Sequence, residues 1–374
     1  MAQVKRVLVV GGGIAGMATA SCLRKAGIDV ELIDRDPNWR VYGAGITITG
    51  PTLRAYRRLG LLEKIKTEGA ITNGTRLFHF SGAPIADLSE PVIEGGVAAT
   101  GGILRPVLHR IMSEEVRRLG VEVRLGVTVA QLEQGADLVE VGFSDSRRGR
   151  YDLVVGADGV HSQLRTLLFP EAPQPHFTGQ GCWRILASRP KGFDKGEFYL
   201  GHATMVGITA CSADTVYVFM LETDRERKRI EEKDQPAKVR QLLADFGGNI
   251  AAIRESVGTH SSIVHRPLES LFLPRPWHRG RVVLIGDATH ATTPHLASGA
   301  GLAVEDALVL AEELTRPGVD AERALEAFTE RRFERCRFVV ERSVEIGEVQ
   351  MTQGASPLVG ELSGKALHRL AQDI

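Results

Sequence analysis

A chain of 374 residues is long enough for one large domain, or two interlocked ones, around a substantial core. Its 46 basic and 46 acidic residues cancel without long single-sign blocks, which argues against nucleic acid as the main partner. Cys22, Cys182, Cys211 and Cys336 lack paired spacing, so neither a disulfide framework nor a metal site is expected. No apolar run is long enough to span a bilayer, and the expected setting is the cytoplasm.

The chain opens with a buried parallel strand over 7–10, and Gly11, Gly13 and Gly16 follow at once. This G-x-G-x-x-G run, which holds Ile14 and Ala15, leads into a helix stopped by Gly27. A second strand over 30–33 ends on Asp34. Strand, glycines, helix, strand and terminal acid together make a dinucleotide fingerprint. The glycines allow a tight turn, close approach of a pyrophosphate and helix–strand packing, and Asp34 is placed to accept from a ribose.

Residues 43–51 read as a second glycine loop containing Gly45, with Pro51 in the first turn of a helix that Gly60 ends. Residues 75–80 and 85–88 read as a hairpin around Gly82. Gly101 to Pro106 lead into an amphipathic helix to Leu119, and short strands follow over 121–125, 127–132 and 138–143. Another strand begins at Tyr151 and ends on Asp158-Gly159, and Ser162 is placed to cap a short helix.

The pattern changes near Pro170. Strands over 182–188, 197–200, 204–211 and 215–221, joined by short turns, predict an antiparallel sheet, followed by a helix over 237–246 and a strand over 261–268. The chain then returns to a buried strand over 282–285 that ends on Gly286-Asp287, a carboxylate at a strand's carboxyl edge. Pro294 lies in the loop that follows, and Gly299-Ala300-Gly301 open a helix whose start admits close approach to its amides. Asp320 is placed to cap a long helix, and a helical tail follows Gly354.

Three sites in this order, Gly11–Gly16 with Asp34, Asp158-Gly159, and Gly286-Asp287 with its glycine loop, resemble the single-component flavin monooxygenases of the para-hydroxybenzoate hydroxylase type. The segment from Gly286 to Pro294 looks most like that of the salicylate, 6-hydroxynicotinate and urate hydroxylases. The resemblance covers roughly the first 345 residues. It implies an α/β fold with a Rossmann-like FAD-binding domain, an inserted antiparallel β-sheet substrate domain and C-terminal helices. The implied ranges are 1–74, 98–175 and 277–345 for the FAD-binding domain, 75–97 and 176–276 for the substrate domain, and 346–374 for a helical tail.

The resemblance also implies roles. Gly11, Gly13 and Gly16 would cradle the FAD pyrophosphate, with Ile14 and Ala15 beside it. Asp34 and Arg35 stand where the family usually has Glu-Arg. Gly45 lies in the second glycine loop, Arg105 would reach the ribityl or phosphate side, and Val129 would pack near the adenine. Asp158 and Gly159 are linked in this family to both FAD and NAD(P)H. Asp287 would bind ribityl hydroxyls, and Gly299–Gly301 would run beside the isoalloxazine. Relatives often read Pro-x-x-Gly-Gln-Gly in that loop, and here it is Pro294-His-Leu-Ala297-Ser298-Gly299.

The implied reaction uses NADH or NADPH and O2 to place one oxygen on an electron-rich aromatic or heteroaromatic small molecule through a flavin C4a-hydroperoxide. The cofactor carries the hard step; the protein holds the ring and excludes water. Tyr217 and His295 are the candidate catalytic side chains. Strand alternation sets Tyr217 opposite Val216 and Val218, and sheet packing is its competing role. Loop stabilisation is the competing role for His295, and His290 reads as structural. His79, His202, Trp183, Thr47 and Thr204 are further pocket candidates. A flavin-linked reductase of the geranylgeranyl type and a non-catalytic FAD-binding protein are the alternatives, and a monomer or homodimer is expected.

Overall fold

The computed structural model describes residues 4–41, 43–89, 97, 100–202, 204–354 and 356–374. β1 (Arg6–Val10) has four consecutive buried apolar residues, as a central parallel strand requires. α1 (Ile14–Lys25) crosses back to β2 (Asp29–Asp34), with Gly27 left-handed at φ +83° beyond its end. β3 (Gly45–Thr49) precedes α2 (Gly50–Leu59), α3 (Leu62–Glu68) and β4 (Ala70–Thr72). The hairpin β5 (Thr75–His79) and β6 (Pro84–Leu88) follows, then β7 (Thr100–Leu104) and α4 (Arg105–Arg118). The expected domain changeover at 97–98 lies outside the described residues except for Val97. Next come β8 (Glu122–Leu125), β9 (Val129–Gln134), β10 (Val139–Phe143), β11 (Arg148–Tyr151), β12 (Leu153–Gly156) and α5 (Gln163–Leu168).

The insert contains β13 (His176–Ser188), β14 (Gly196–Leu200), β15 (Met205–Ala210), β16 (Thr215–Thr223), α6 (Gln235–Leu242), α7 (Gly248–Ser256) and β17 (Ile263–Ser270). The chain returns through β18 (His278–Arg279), β19 (Val282–Leu284), α8 (Asp287–His290) and α9 (Gly299–Leu314). It ends in α10 (Ala321–Gln353) and α11 (Pro357–Ala371).

Four sheets result. The six-stranded one, in order β18-β19-β12-β1-β2-β8, is parallel except for the β18–β19 pair. The seven-stranded one runs β17-β13-β16-β15-β14-β5-β6 and is antiparallel except that β5 lies parallel to β14. Two three-stranded sheets, β11-β10-β9 and β3-β7-β4, complete the set.

Three local readings change. Residues 45–49 form a strand rather than a loop, because β3 pairs with β7 from Gly45↔Leu104 to Thr49↔Thr100. The strand expected from Tyr151 is two. Asp152 interrupts it by accepting from the amides of Lys5 and Arg6 at 2.7 and 2.8 Å, and the chain passes from β11 into the large parallel sheet. The helix expected over 237–246 closes at Leu242, and α7 follows it.

Two cores form. The larger packs α1, α4, α9 and α10 against the parallel sheet, with Leu8, Leu23, Leu32, Val283, Leu310 and Phe328 fully enclosed. The smaller lies under one face of the seven-stranded sheet, where Trp183, Val206, Ile208, Val216 and Val218 meet Val239, Leu243 and Ile250 of α6 and α7. Each such side chain contributes roughly 1.5–3 kcal/mol by leaving water, so the α6/α7 face of the sheet is settled by packing. The opposite face is thereby free to form a wall. Asp320 caps α10 by accepting from Arg323 N at 3.0 Å. α11 docks through Leu362, Ala366 and Leu370, and Arg54 donates to the carbonyls of Ala371 and Gln372, both at 2.7 Å.

Candidate active site

One continuous cavity of about 1320 Å³ lies between the parallel-sheet unit and the seven-stranded sheet. The first glycine loop forms one end. Gly11 sits at φ +106°, and a Cβ there would meet Ala157 O at 2.3 Å; a Cβ on Gly16 would lie 1.8 Å from Gly11 O. Those two glycines therefore serve backbone packing. Gly13 has nothing within 4 Å of an added Cβ and opens to the cavity together with Ile14 and Ala15. Asp34 Oδ2 accepts from Gly12 N at 2.6 Å and its Oδ1 from Asp36 N at 2.7 Å, which leaves lone pairs for a further donor. Trp39 packs beside Gly12 and donates Nε1–H to its carbonyl at 2.8 Å. Arg35 is exposed, and Val129 is a buried β9 residue away from the cavity lining.

Asp158 accepts from Ser162 Oγ at 2.5 Å and from Leu164 N at 3.1 Å, so it builds the start of α5, while Gly159 at φ +85° faces the cavity. Arg165 is buried and donates to Val160 O at 2.8 Å and Ala288 O at 3.1 Å, tying this turn to α8.

Gly286, at φ +59°, turns the chain out of the parallel sheet and presents Asp287. The Asp287 carboxylate opens into the cavity and keeps accessible surface, yet protein surrounds it. That enclosure raises its pKa, while His290 and Arg105 act to lower it. Behind it Asp306 accepts from Gly286 N (2.9 Å), His290 Nε2 (2.7 Å) and Arg332 Nε (2.8 Å). Burial disfavours both charges, but Cys336 and Asp306 beside His290 hold its pKa well above the ordinary value, and His290 with Arg332 holds Asp306 below its own. His290, Asp306 and Cys336 lie close enough to suggest a metal, but Arg332 already supplies the cation there. His290 is structural. At the start of α9, Gly299 and Ala300 line the cavity with Pro294, whereas Gly301 faces Thr52, whose Oγ1 an added Cβ would meet at 2.4 Å.

The seven-stranded sheet supplies the facing wall. Alternation along β16 sends Val216, Val218 and Met220 to the smaller core and Tyr217, Phe219 and Leu221 to the cavity. Along β13 it sends Trp183 to the core and Arg184 to the cavity, so Trp183 is no pocket residue; its indole instead donates to Glu222 at 2.8 Å. Arg184 hydrogen-bonds the Tyr217 hydroxyl. Enclosure pushes the Tyr217 pKa up to about 12, although Arg184 and Arg105 pull the other way. Tyr217 is thus a neutral hydrogen-bonding group at ordinary pH, and Arg184 and Arg105 keep their charge. Gly45 permits this arrangement: an added Cβ would meet Tyr217 Cβ at 2.5 Å.

His295 lines the cavity but leans on α10. Its Nδ1 bonds Thr293 Oγ1 at 2.8 Å, and its Nε2 would lie 3.1 Å from a Cβ on Gly347. Burial lowers its pKa to about 4, with Gln350 acting the other way, so it is neutral near pH 7. Thr47 and Thr204 line the cavity, and Thr47 Oγ1 meets Thr209 Oγ1 at 3.4 Å. His79 and His202 lie outside the lining, tilted against Phe80. Arg184 is one of the polar wall residues that sequence reasoning missed, with Gln180 and Arg266. For Arg184, its place two residues from Cys182 and one from Trp183 on a strand was the available signal.

These residues fit an extended flavin dinucleotide. An open glycine with helix amides sits at one end, a carboxylate for hydroxyls in the middle, and a second helix start near a walled chamber at the other. A parallel-sheet nucleotide site facing an inserted sheet wall defines a flavoprotein oxidoreductase. The chain belongs to the FAD binding domain family, whose model matches residues 5–343. It is 36% identical over 311 residues to 2-heptyl-3-hydroxy-4(1H)-quinolone synthase of Pseudomonas aeruginosa (strain UCBPP-PA14), covering 82% of this chain and 79% of that one. It is 33% identical over 377 residues to 3-amino-4-hydroxybenzoate 2-monooxygenase PtmB3 of Streptomyces platensis, covering 98% and 93%. The fold matches Klebsiella pneumoniae HpxO, solved with FAD and uric acid, at a TM-score of 0.84 and 24% identity over 99% of this chain and 93% of that one. The chain is an FAD-dependent monooxygenase, of a family that typically uses NADH or NADPH as reductant. No helix among the described residues is long and apolar enough to cross a membrane.

Proposed function

We propose that this enzyme hydroxylates a small electron-rich aromatic or heteroaromatic compound held against Tyr217 and Arg184. Bound FAD supplies the redox chemistry, accepting electrons from NADH or NADPH and activating O2. Gly13 with the start of α1 holds the pyrophosphate, on a turn that Gly11 and Gly16 pack into shape. Asp34 holds the adenosine ribose, Asp287 the ribityl hydroxyls, and Gly299-Ala300 the ring. Segments 1–74, 98–175 and 277–345 act as the cofactor unit, and 75–97 with 176–276 act as the substrate wall. The enzyme works as a monomer or homodimer; four free buried cysteines suit a reducing cytoplasm.

The observation that carries this reading is the Arg184–Tyr217 pair, with Arg105 near by, on the wall opposite Asp287. Charge builds on a phenol-type oxygen as its ring becomes electron-rich, and an enclosed guanidinium–hydroxyl pair stabilises that oxygen. The sheet excludes water, so reducing equivalents are not lost before transfer. The test is a panel of phenols, hydroxypyridines and quinolones, scored by stimulated NAD(P)H oxidation and product mass. Product heavier by one oxygen supports hydroxylation. Product heavier by two hydrogens replaces it with a reductase.

A further inference from the structure

We propose that the substrate is an aromatic ring bearing a long apolar substituent, and that this tail lies across the outer half of the seven-stranded sheet. The inference rests on the hydroxylase reading for the ring end and on separate observations for the tail.

The cavity wall divides in two. On β17 and β13 it carries Arg266, Glu269, Gln180 and Arg184; across β15, β14, β5 and β6 the described lining residues include no charge. Strand alternation places Gly196, Phe198 and Leu200 of β14 and Leu77 of β5 on the cavity face. The charges of this edge, Arg76, Asp87, Asp194 and Lys195, pair with one another away from the cavity lining. An uncharged wall adjoining the Arg184–Tyr217 pair suits an apolar group joined to a polar ring.

The floor is also shaped. Tyr217, Phe219 and Phe198 form an aromatic row, with centroids 5.6 Å and 5.8 Å apart in turn. Gly207 lies between Phe219 and Phe198 in the strand register, and a Cβ there would meet the Phe219 ring at 2.2 Å. This missing side chain lets Phe219 lie flat over β15 rather than stand into the cavity. Phe198 is then in register with Leu77, so the row continues onto β5. On β6, Leu88, in register with Thr75, also lines the cavity and is 48% exposed. From Phe219 to Leu77 is three strand spacings, roughly 14 Å.

The experiment uses the FAD-loaded enzyme with two homologous series, 2-alkyl-4-quinolones and 4-alkylresorcinols, carrying unbranched tails from methyl to nonyl. Dissociation constants come from the change in flavin absorbance, and product mass is measured separately. Affinity is expected to rise about fourfold per methylene and to level off once the tail spans the row. In Gly207→Ala, with FAD content and thermal melting checked, the tilted Phe219 ring is expected to cut the gain per methylene to less than twofold. Equal affinity for methyl and heptyl members overturns the tail proposal, and product from untailed rings then leaves hydroxylation standing. An undiminished gain per methylene in Gly207→Ala also overturns it, because the tail then binds elsewhere. A steep series that binds without gaining oxygen supports the groove and sinks the hydroxylase reading instead.

Discussion

The amide of Gly286 donates to Asp306 Oδ2 at 2.9 Å, so α9 holds from behind the turn that presents Asp287 to the cavity. The two carboxylates serve the same turn and are opposite in purpose. Asp306 is fully paired inside the protein, whereas Asp287 is enclosed and left open to a ligand. Asp306→Ala leaves Arg332 and His290 without their shared partner and is expected to cost about 3–5 kcal/mol of stability. Asp287→Ala removes an enclosed charge, so the apoprotein should melt no lower, while FAD affinity falls about 10–100-fold with the loss of charged hydrogen bonds. Differential scanning calorimetry with flavin titration checks both, and equal melting losses in the two variants would refute the division of labour.

The glycine loop makes a second contrast. An alanine Cβ at 16 collides with Gly11 O, a backbone atom fixed between strand and helix, and at 13 it meets nothing. Gly16→Ala is expected to lower stability by about 1–3 kcal/mol through overpacking. Gly13→Ala should melt like the parent without cofactor yet bind FAD more weakly, because its Cβ enters the space left for the pyrophosphate. Comparing apo melting with FAD affinity settles this, and a Gly13→Ala protein with unaltered affinity would remove that glycine from the contact.

Tyr217→Phe tests the wall. With its pKa pushed up to about 12, the Tyr217 hydroxyl stays protonated across the working range and acts as a hydrogen-bonding partner rather than a base. Deleting it strips a partner from the enclosed Arg184, a loss of about 1–3 kcal/mol that appears as a roughly 5–150-fold fall in kcat/KM. FAD content should stay the same, and the pH profile should keep its shape. A fall of less than twofold ends the assignment; a vanished alkaline or acid limb makes Tyr217 the titrating group after all.

Much of the cofactor frame was legible because its signals are local. β1 and β19 are short apolar runs and β2 is largely buried, and each strand leads to glycine, acid or both at the sheet's carboxyl edge. The wall was less legible because its constraints come from a distant partner. Gly45 makes room for Tyr217, and Gly102 would press an added Cβ to 2.5 Å from Ala210 O. These glycines are required where two sheets approach, yet in one dimension they resemble a loop, which is why β3 was read as one. Arg184 was hidden for a related reason. Periodicity shows which residues share a face but not which face is buried, and that choice is made by α6 and α7 covering Trp183.

His295 offers a pH test. Unfolded, its imidazole takes a proton below about pH 6.5; folded, burial delays this to about 4. Between those values the unfolded state binds more protons, so stability rises with pH and is lost as the solution is acidified. The slope approaches about 1.4 kcal/mol per pH unit for this one group. His109, His265 and His278 are also lowered by burial and push the same way, so the measurement must be a difference. Urea unfolding of the parent and of His295→Gln from pH 4 to 8 should show the parent losing stability faster on the acid side. Parallel curves would mean that burial does not shift the His295 titration, and a parent gaining stability toward acid would mean that folding favours the protonated ring. It would then be a cation facing the flavin loop rather than the neutral ring that Thr293 and α10 hold in place.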